Sequence, residues 1–361
     1  MIVSPDGPKP WICFILPYLE AIPAASINNV GCIRQKFKLC TKVDNNGLPR
    51  NSFMNSDQSL ISGSFHVQIE GLDLPSLKAN QLKMDVLRLD KIHPVVSGNK
   101  YFKLKYYLES AKAQGYSRIL TWGGAFSNHL IATAYTANLS GLESIGIVRG
   151  EKPIQLSQTL RDATAYGMEL IFVSRSEYSQ RAEHHYVEKL SRKFIKTLLI
   201  PEGGAGPEGI KGASEILFAA DTSSYSHILC AMGTGTMTLG LARAARDYQE
   251  ILAVSVLKGR EKERSTIDAQ LAEFEKRSEL VICRDYHFGG YAKKNKDLIM
   301  FMNSFYEMTR LPLDFVYTAK LFYGALDLAN QKYFSERSNI LLIHSGGLQG
   351  NRSLSKGELL Y

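Results

Sequence analysis

The residues best suited to chemistry begin at Ser97-Gly98-Asn99-Lys100-Tyr101-Phe102-Lys103-Leu104, after an extended segment and at the start of a helix. Tyr101, Leu104, Leu108 and Ala111 recur at helical spacing. Ser97 or Asn99 is placed to cap that helix. A lysine in a first turn opposes the helix dipole, which marks Lys100 as kept for something other than helix stability. An ordinary lysine has a pKa near 10.4, so roughly one amine in a few thousand is neutral at pH 7. Aromatic neighbours and a second cation, Lys103, would raise that fraction and let the amine form a Schiff base with a carbonyl. The bland alternative is a solvated surface lysine.

Three turns offer complementary chemistry. Gly233-Thr234-Gly235-Thr236 leaves the apolar run Ile228 to Met232 and enters a helix. Its glycines let the backbone approach a phosphate, and the helix N-terminus supplies free N–H groups. It is neither a Walker A loop nor a full GxGxxG, so an empty strand–helix turn is the competing reading. Gly123-Gly124-Ala125-Phe126-Ser127-Asn128-His129 has the same strand-to-helix character. Ser127 there suits a carboxylate, or a proton relay beside a base; the alternative is a simple cap. His129, one turn inward, reads as a core or supporting histidine. His344-Ser345-Gly346-Gly347 ends the last apolar run, at the strand end where parallel sheets bind ligands. Tyr291 follows Gly289-Gly290 and Tyr317 precedes Thr318; singly, each reads as packing.

Those turns need a scaffold, and the pattern predicts one. From Phe65 onward, His66 to Glu70 and Met84 to Leu89 read as strands. After the lysine helix come apolar runs at Ile119 to Trp122, Ser144 to Val148, Leu170 to Val173 and Leu198 to Ile200, with helices starting near Ser127, Ser157 and Tyr178. Unbroken apolar runs mark strands covered on both faces. A second series has a helix near Glu208 to Ala220 and strands at His227 to Met232, Ile251 to Leu257 and Asn339 to His344. Its other helices lie near Thr236 to Arg246, Asp297 to Thr309 and Thr318 to Gln331. Repeated strand–helix units predict an α/β fold of two open, twisted, parallel-sheet domains with right-handed crossovers. The larger comprises 54–103 and 207–361, and the smaller, 104–206, is inserted in it.

Residues 1–53 do not resemble the rest. Trp11 to Pro17 is too short to span a membrane, and Asp6 with a late Lys9 makes a poor secretory n-region. Asn45 to Ser59 has a loop composition. The expectation is a disordered extension, or a mis-assigned start with Met54 as the first residue. The formal charge of +8 is not gathered on one helix or interleaved with aromatics, which argues against nucleic acid and for anionic small molecules. The five cysteines show no CxxC pair, which suits free thiols in the cytoplasm, and neither they nor the eight histidines have metal-ligand spacing.

Taken together, the SGNK lysine motif, the GG..SNH turn, the GTGT loop, the tyrosine pair and the terminal Ser-Gly-Gly resemble the 1-aminocyclopropane-1-carboxylate deaminase and D-cysteine desulfhydrase family. Its members are pyridoxal-phosphate enzymes of the tryptophan-synthase-β-like fold (fold type II). The resemblance runs from about Phe65 to the end. It implies that Lys100 holds pyridoxal 5'-phosphate covalently, with Lys103 on the phosphate side and Gly233, Thr234, Gly235 and Thr236 cradling the phosphate. It implies that Asn128 bonds the cofactor's phenolic oxygen and Ser345 meets the pyridine nitrogen. Ser127 is then the candidate nucleophile at the substrate's carboxylate and α-carbon, with Tyr291 and Tyr317 flanking cofactor and substrate. A neutral serine at the ring nitrogen suits elimination over transamination.

Within the family, Thr318 and Ser345 stand where the deaminases carry glutamate and leucine, which points to the desulfhydrase branch. Tyr101-Phe102 and Phe126 replace that branch's usual Thr-Arg and Gln. The resemblance therefore implies a lyase or deaminase of a small amino acid. D-Cysteine, giving a 2-oxo acid, ammonia and sulfide, is the first substrate; the cyclopropane acid, giving 2-oxobutanoate and ammonia, is the second. A β-replacing synthase of the same fold and a non-catalytic phosphate-ligand binder are the other readings. The family also implies a homodimer.

Overall fold

The computed structural model describes Asp57, residues 67–259 and residues 278–361. The expectations for residues 1–53 fall outside them. Two sheets carry the fold. The six-stranded sheet is built from β1 (Ile69–Gly71), β2 (Lys83–Arg88), β7 (His227–Met232), β8 (Glu250–Ser255), β9 (Leu280–Cys283) and β10 (Asn339–His344), in the order β1-β2-β10-β7-β8-β9. The four-stranded sheet is built from β3 (Arg118–Gly123), β4 (Glu143–Arg149), β5 (Met168–Val173) and β6 (Thr197–Ile200), in the order β5-β4-β3-β6.

The small sheet is wholly parallel. In the large one, β1 runs antiparallel to β2 at the edge, and every other pairing is parallel. The inner strands β7, β8 and β10 are buried after their first residue, as strands covered on both faces must be. β9 was not anticipated. It is a four-residue edge strand, half-buried throughout, too short to stand out as an apolar run.

Among the described residues the helices, in chain order, are α1 (Pro75–Ala79), α2 (Asn99–Ala113), α3 (Asn128–Leu139), α4 (Gln158–Ala165), α5 (Arg175–Ser179), α6 (His184–Lys193), α7 (Pro207–Ser214), α8 (Thr236–Ala244), α9 (Lys296–Thr309) and α10 (Thr318–Asn330). Ser127, Ser157 and Ser174 each accept a hydrogen bond from the backbone N–H three residues on, which fixes where α3, α4 and α5 begin. The helix expected from Tyr178 therefore starts earlier, at Arg175, and is followed by a separate α6. The helix expected over 208–220 ends at Ser214 and continues as one 3-10 turn, Glu215–Phe218.

The cap of α2 also differs from expectation. Neither Ser97 nor Asn99 caps it; the N-cap is Gly98, with no side-chain cap. Gly98 has φ 70°, and a Cβ there would lie 1.9 Å from the Ser345 carbonyl oxygen. Only glycine allows that backbone conformation and that approach together. Asn99 N–H donates to the same carbonyl at 3.1 Å. The requirement for close contact with a distant turn overrides the local preference for a cap.

The strand order positions the site. β2, β10 and β7 are neighbours, so the loops leaving their carboxyl ends, 97–100, 345–347 and 233–236, are brought together. β3 and β6 are likewise neighbours, joining the turn before α3 to the Gly203-Gly204 loop. Cys230 and Cys283 are free thiols, the first buried. Among the described residues no helix is long and apolar enough to cross a membrane.

Candidate active site

An open cavity lies at these strand ends. Its lining includes Lys100, Lys103, Asn128, Gly233, Thr234, Gly235, Tyr317 and Ser345. Lys100 Nζ donates to Asn99 Oδ1 at 3.0 Å. Burial lowers its pKa to about 8, against the opposing pull of the Asp314 carboxylate. At pH 7 about one such amine in ten is neutral, which is several hundred times the share in a solvated lysine.

Lys103 is only 4% exposed. Burial and repulsion from Lys100 push its pKa well below the ordinary lysine value. Two buried lysine amines facing one cavity are held back from protonation, and an anion placed between them would favour their charged forms. The GTGT turn supplies the rest. Gly235 is left-handed (φ 80°) and gives α8 no side-chain cap, so the first N–H groups of that helix stay open to a ligand. The Thr234 hydroxyl belongs to a lining residue and stands 3.1 Å from that of Thr236, which is buried and not among the lining residues.

Asn128 donates through Nδ2 to the Gly347 carbonyl at 3.3 Å. Its Oδ1 is buried without a hydrogen-bond partner. Such a group is costly unless something fills the site. Beneath it, the Thr121 hydroxyl donates to the Ile200 carbonyl at 2.7 Å and lies 2.8 Å from His129 Nε2. The hydroxyl proton is thus engaged, so His129 must carry its proton on Nε2. Burial, followed by the two lysines, holds its pKa well below the ordinary value. His129 is a neutral supporting residue.

Some expected residues are not brought to the cavity. Ser127 Oγ accepts from Leu130 N–H at 3.3 Å, and Ser127 is not among the lining residues. Tyr291 is also outside the lining and 51% exposed. It meets the lining residue Tyr317 edge to face, with centroids 5.9 Å apart and planes at 67°. Burial raises the pKa of the Tyr317 phenol well above its ordinary value, and the crowding around the otherwise half-exposed Tyr291 raises its own. Thr318, expected as a hydroxyl at the site, is turned inward and donates to Asp314 Oδ1 at 2.8 Å. Of the two hydroxyl residues that marked the departure, Ser345 alone lines the cavity.

Asp314 was missed. Its side chain is fully buried and accepts from the N–H groups of Val316, Tyr317 and Thr318, each at 2.9 Å. It thereby fixes the start of α10 and the backbone of Tyr317. The available signal was an aspartate four residues before a threonine at a helix start, a common arrangement. Gly203 was missed as well, although a Gly-Gly pair after a strand is a visible turn signal; it lines the cavity.

Comparison with known proteins agrees with this chemistry. Residues 72–346 match the family model described as "Pyridoxal-phosphate dependent enzyme". The chain is 31% identical over 289 residues to a putative 1-aminocyclopropane-1-carboxylate deaminase of Thermotoga maritima, covering 73% of this chain and 88% of that one. It is 25% identical over 301 residues to a D-cysteine desulfhydrase of Klebsiella pneumoniae, covering 76% and 90%. Among solved structures, an ACC deaminase homologue superposes with TM-score 0.68 at 26% identity, covering 82% of this chain and 96% of that one.

Pyridoxal phosphate fits the residues present. Its phosphate matches the uncapped α8 turn and Lys103, its aldehyde matches the Lys100 amine, and its polar ring edge matches the open Asn128 Oδ1. The matched span runs from before the lysine motif to Gly346 in the last turn, and the chain belongs to the pyridoxal-phosphate-dependent enzyme family.

Proposed function

We propose that this protein eliminates the β-substituent of a small amino acid, with D-cysteine as first substrate, releasing a 2-oxo acid, ammonia and sulfide. The observation that carries the reading is the Lys100 amine, lowered to about 8, in one cavity with the uncapped turn and Asn128. Bound pyridoxal phosphate supplies an electron sink for negative charge at the substrate's α-carbon. Lys100 would hold that cofactor through Nζ. Lys103, Gly233, Thr234, Gly235 and Thr236 would hold its phosphate, and Asn128 and Ser345 its ring.

With cofactor and substrate both bound, Lys100 Nζ would be the amine placed to take the substrate's α-proton. Its lowered pKa near the working pH suits a base that must also return protons. Ser127 Oγ is the other candidate, but its engagement with Leu130 N–H favours Lys100 for this role. Ser127 and the first N–H groups of α3 remain suited to the substrate carboxylate. Tyr317 Oη, held protonated at the cavity wall, is the donor available to a departing thiolate, with Tyr291 edge to face against it. Ser345 in place of leucine supports the desulfhydrase reading.

The cyclopropane acid is the second substrate, favoured by the name of the Thermotoga relative. Sulfide from D-cysteine, measured against 2-oxobutanoate from the cyclopropane acid, separates the two; neither product forming would discard both. A colourless protein that takes up no added cofactor would favour the phosphate-ligand binder, and activity only with a second nucleophile would favour the synthase. On the same footing we propose that 104–206 is the inserted smaller domain, that the protein is a cytoplasmic homodimer, and that light scattering of the pure protein will give twice the chain mass.

A further inference from the structure

Lys320 is a second lysine in a helical first turn, and the proposed chemistry leaves it unused. It lies in α10, fully buried, at the end where the helix dipole disfavours a cation. The Asp314 carboxylate is close enough to act on it electrostatically. Its Nζ donates to the Gly290 carbonyl at 2.7 Å. An ammonium is a poor choice for filling core volume, because burying it is costly unless it is paired and hydrogen-bonded. Methionine would pack there without that cost.

The turn it grips needs an outside tie. Phe288 (φ 48°), Gly289 (90°), Gly290 (114°) and Ala292 (52°) all lie in the left-handed region, two of them not glycine. Such a run persists only where its surroundings hold it. Tyr291 sits inside this run and faces Tyr317, whose N–H is held by Asp314. Asp314 therefore fixes one phenol, and Lys320 grips the turn that carries the other.

We propose that Lys320 is a positioning residue that clamps the Gly289-Gly290 turn onto the start of α10 and so sets Tyr291 against Tyr317. The proposal rests on the reading of Tyr291 as part of the site. Lys320 does not touch the reacting atoms.

The test uses the holoenzyme with Lys320→Met, which removes the donor, and Lys320→Gln, which keeps an N–H. In Lys320→Met, hydrogen exchange over residues 286–295 should quicken about tenfold while exchange over 318–330 stays unchanged. Sulfide release should lose about tenfold in kcat with the cofactor absorbance retained, and Lys320→Gln should fall between. In a Tyr291→Phe background the further loss in kcat should shrink to less than about twofold, because the clamp then has little left to position. Equal quickening of both segments, equal kcat losses in both backgrounds, or failure of both variants to fold would give Lys320 a core role and overturn the proposal. If the wild type turns over neither substrate, the exchange experiment still decides the clamp, and only the proposed function fails.

Discussion

The turns entering α8 and α3 are built alike and finished differently. Each leaves a parallel strand through glycine and opens a helix at the same cavity. At α8 the N-cap is a left-handed glycine with no side-chain cap. At α3 the N-cap is Ser127, whose oxygen already accepts from Leu130 N–H. An uncapped helix keeps its donors and its positive end for a fixed anion. A capped one has spent a donor on its own stability. This difference supports the proposed placement of the cofactor's phosphate at α8 and the exchangeable substrate carboxylate at α3.

Thr236→Asp should break the comparison most severely. It would give α8 an acidic first turn, which favours an isolated helix, and place a negative charge where the phosphate belongs. Two charges about 4 Å apart near a protein surface repel by roughly 4 kcal/mol, so cofactor affinity should fall on the order of a thousandfold. Fluorescence titration of the apoprotein measures this, and unchanged affinity would remove the phosphate from α8. Gly235→Ala should cost less. A side chain at φ 80° is disfavoured by about 1–2 kcal/mol, expected as roughly a tenfold loss in cofactor affinity on the same titration.

Ser127→Ala should leave cofactor affinity intact. Losing the cap should cost about 1 kcal/mol of stability, a lowering of the thermal midpoint by about 2–4 °C. Ser127→Asp keeps the cap and should restore the midpoint while raising KM, since it repels the substrate carboxylate. A normal KM in that variant would place the carboxylate elsewhere. The smallest effect concerns Lys100 itself. Its folded pKa is lowered, so the neutral amine dominates above about 8 rather than above about 10.4. Pulse labelling of apoprotein amines should show that site reacting with a midpoint near 8, and a midpoint above 10 would mean a solvated lysine.

Much of this was legible because backbone logic is local. Glycine-bearing turns after apolar runs announced the strand ends, and a cation at the wrong end of a helix announced Lys100. The large sheet's inner strands were readable because covering both faces leaves no polar alternation. What was not legible depended on contacts far apart in sequence. Gly98 caps α2 because the Ser345 carbonyl sits 1.9 Å from where its Cβ would be, and nothing near Gly98 reports that. Thr318 turns inward because Asp314 is fully buried below it. Lys320 carried the same dipole signal as Lys100, but its partner lies 30 residues earlier.

The most direct measurement is borohydride reduction of the purified holoenzyme followed by peptide mapping. A single pyridoxyl adduct on the residue between Asn99 and Tyr101 is the expected result. An adduct on Lys103 or Lys320, or none at all, would contradict the assignment of Lys100 as the amine around which this site is built.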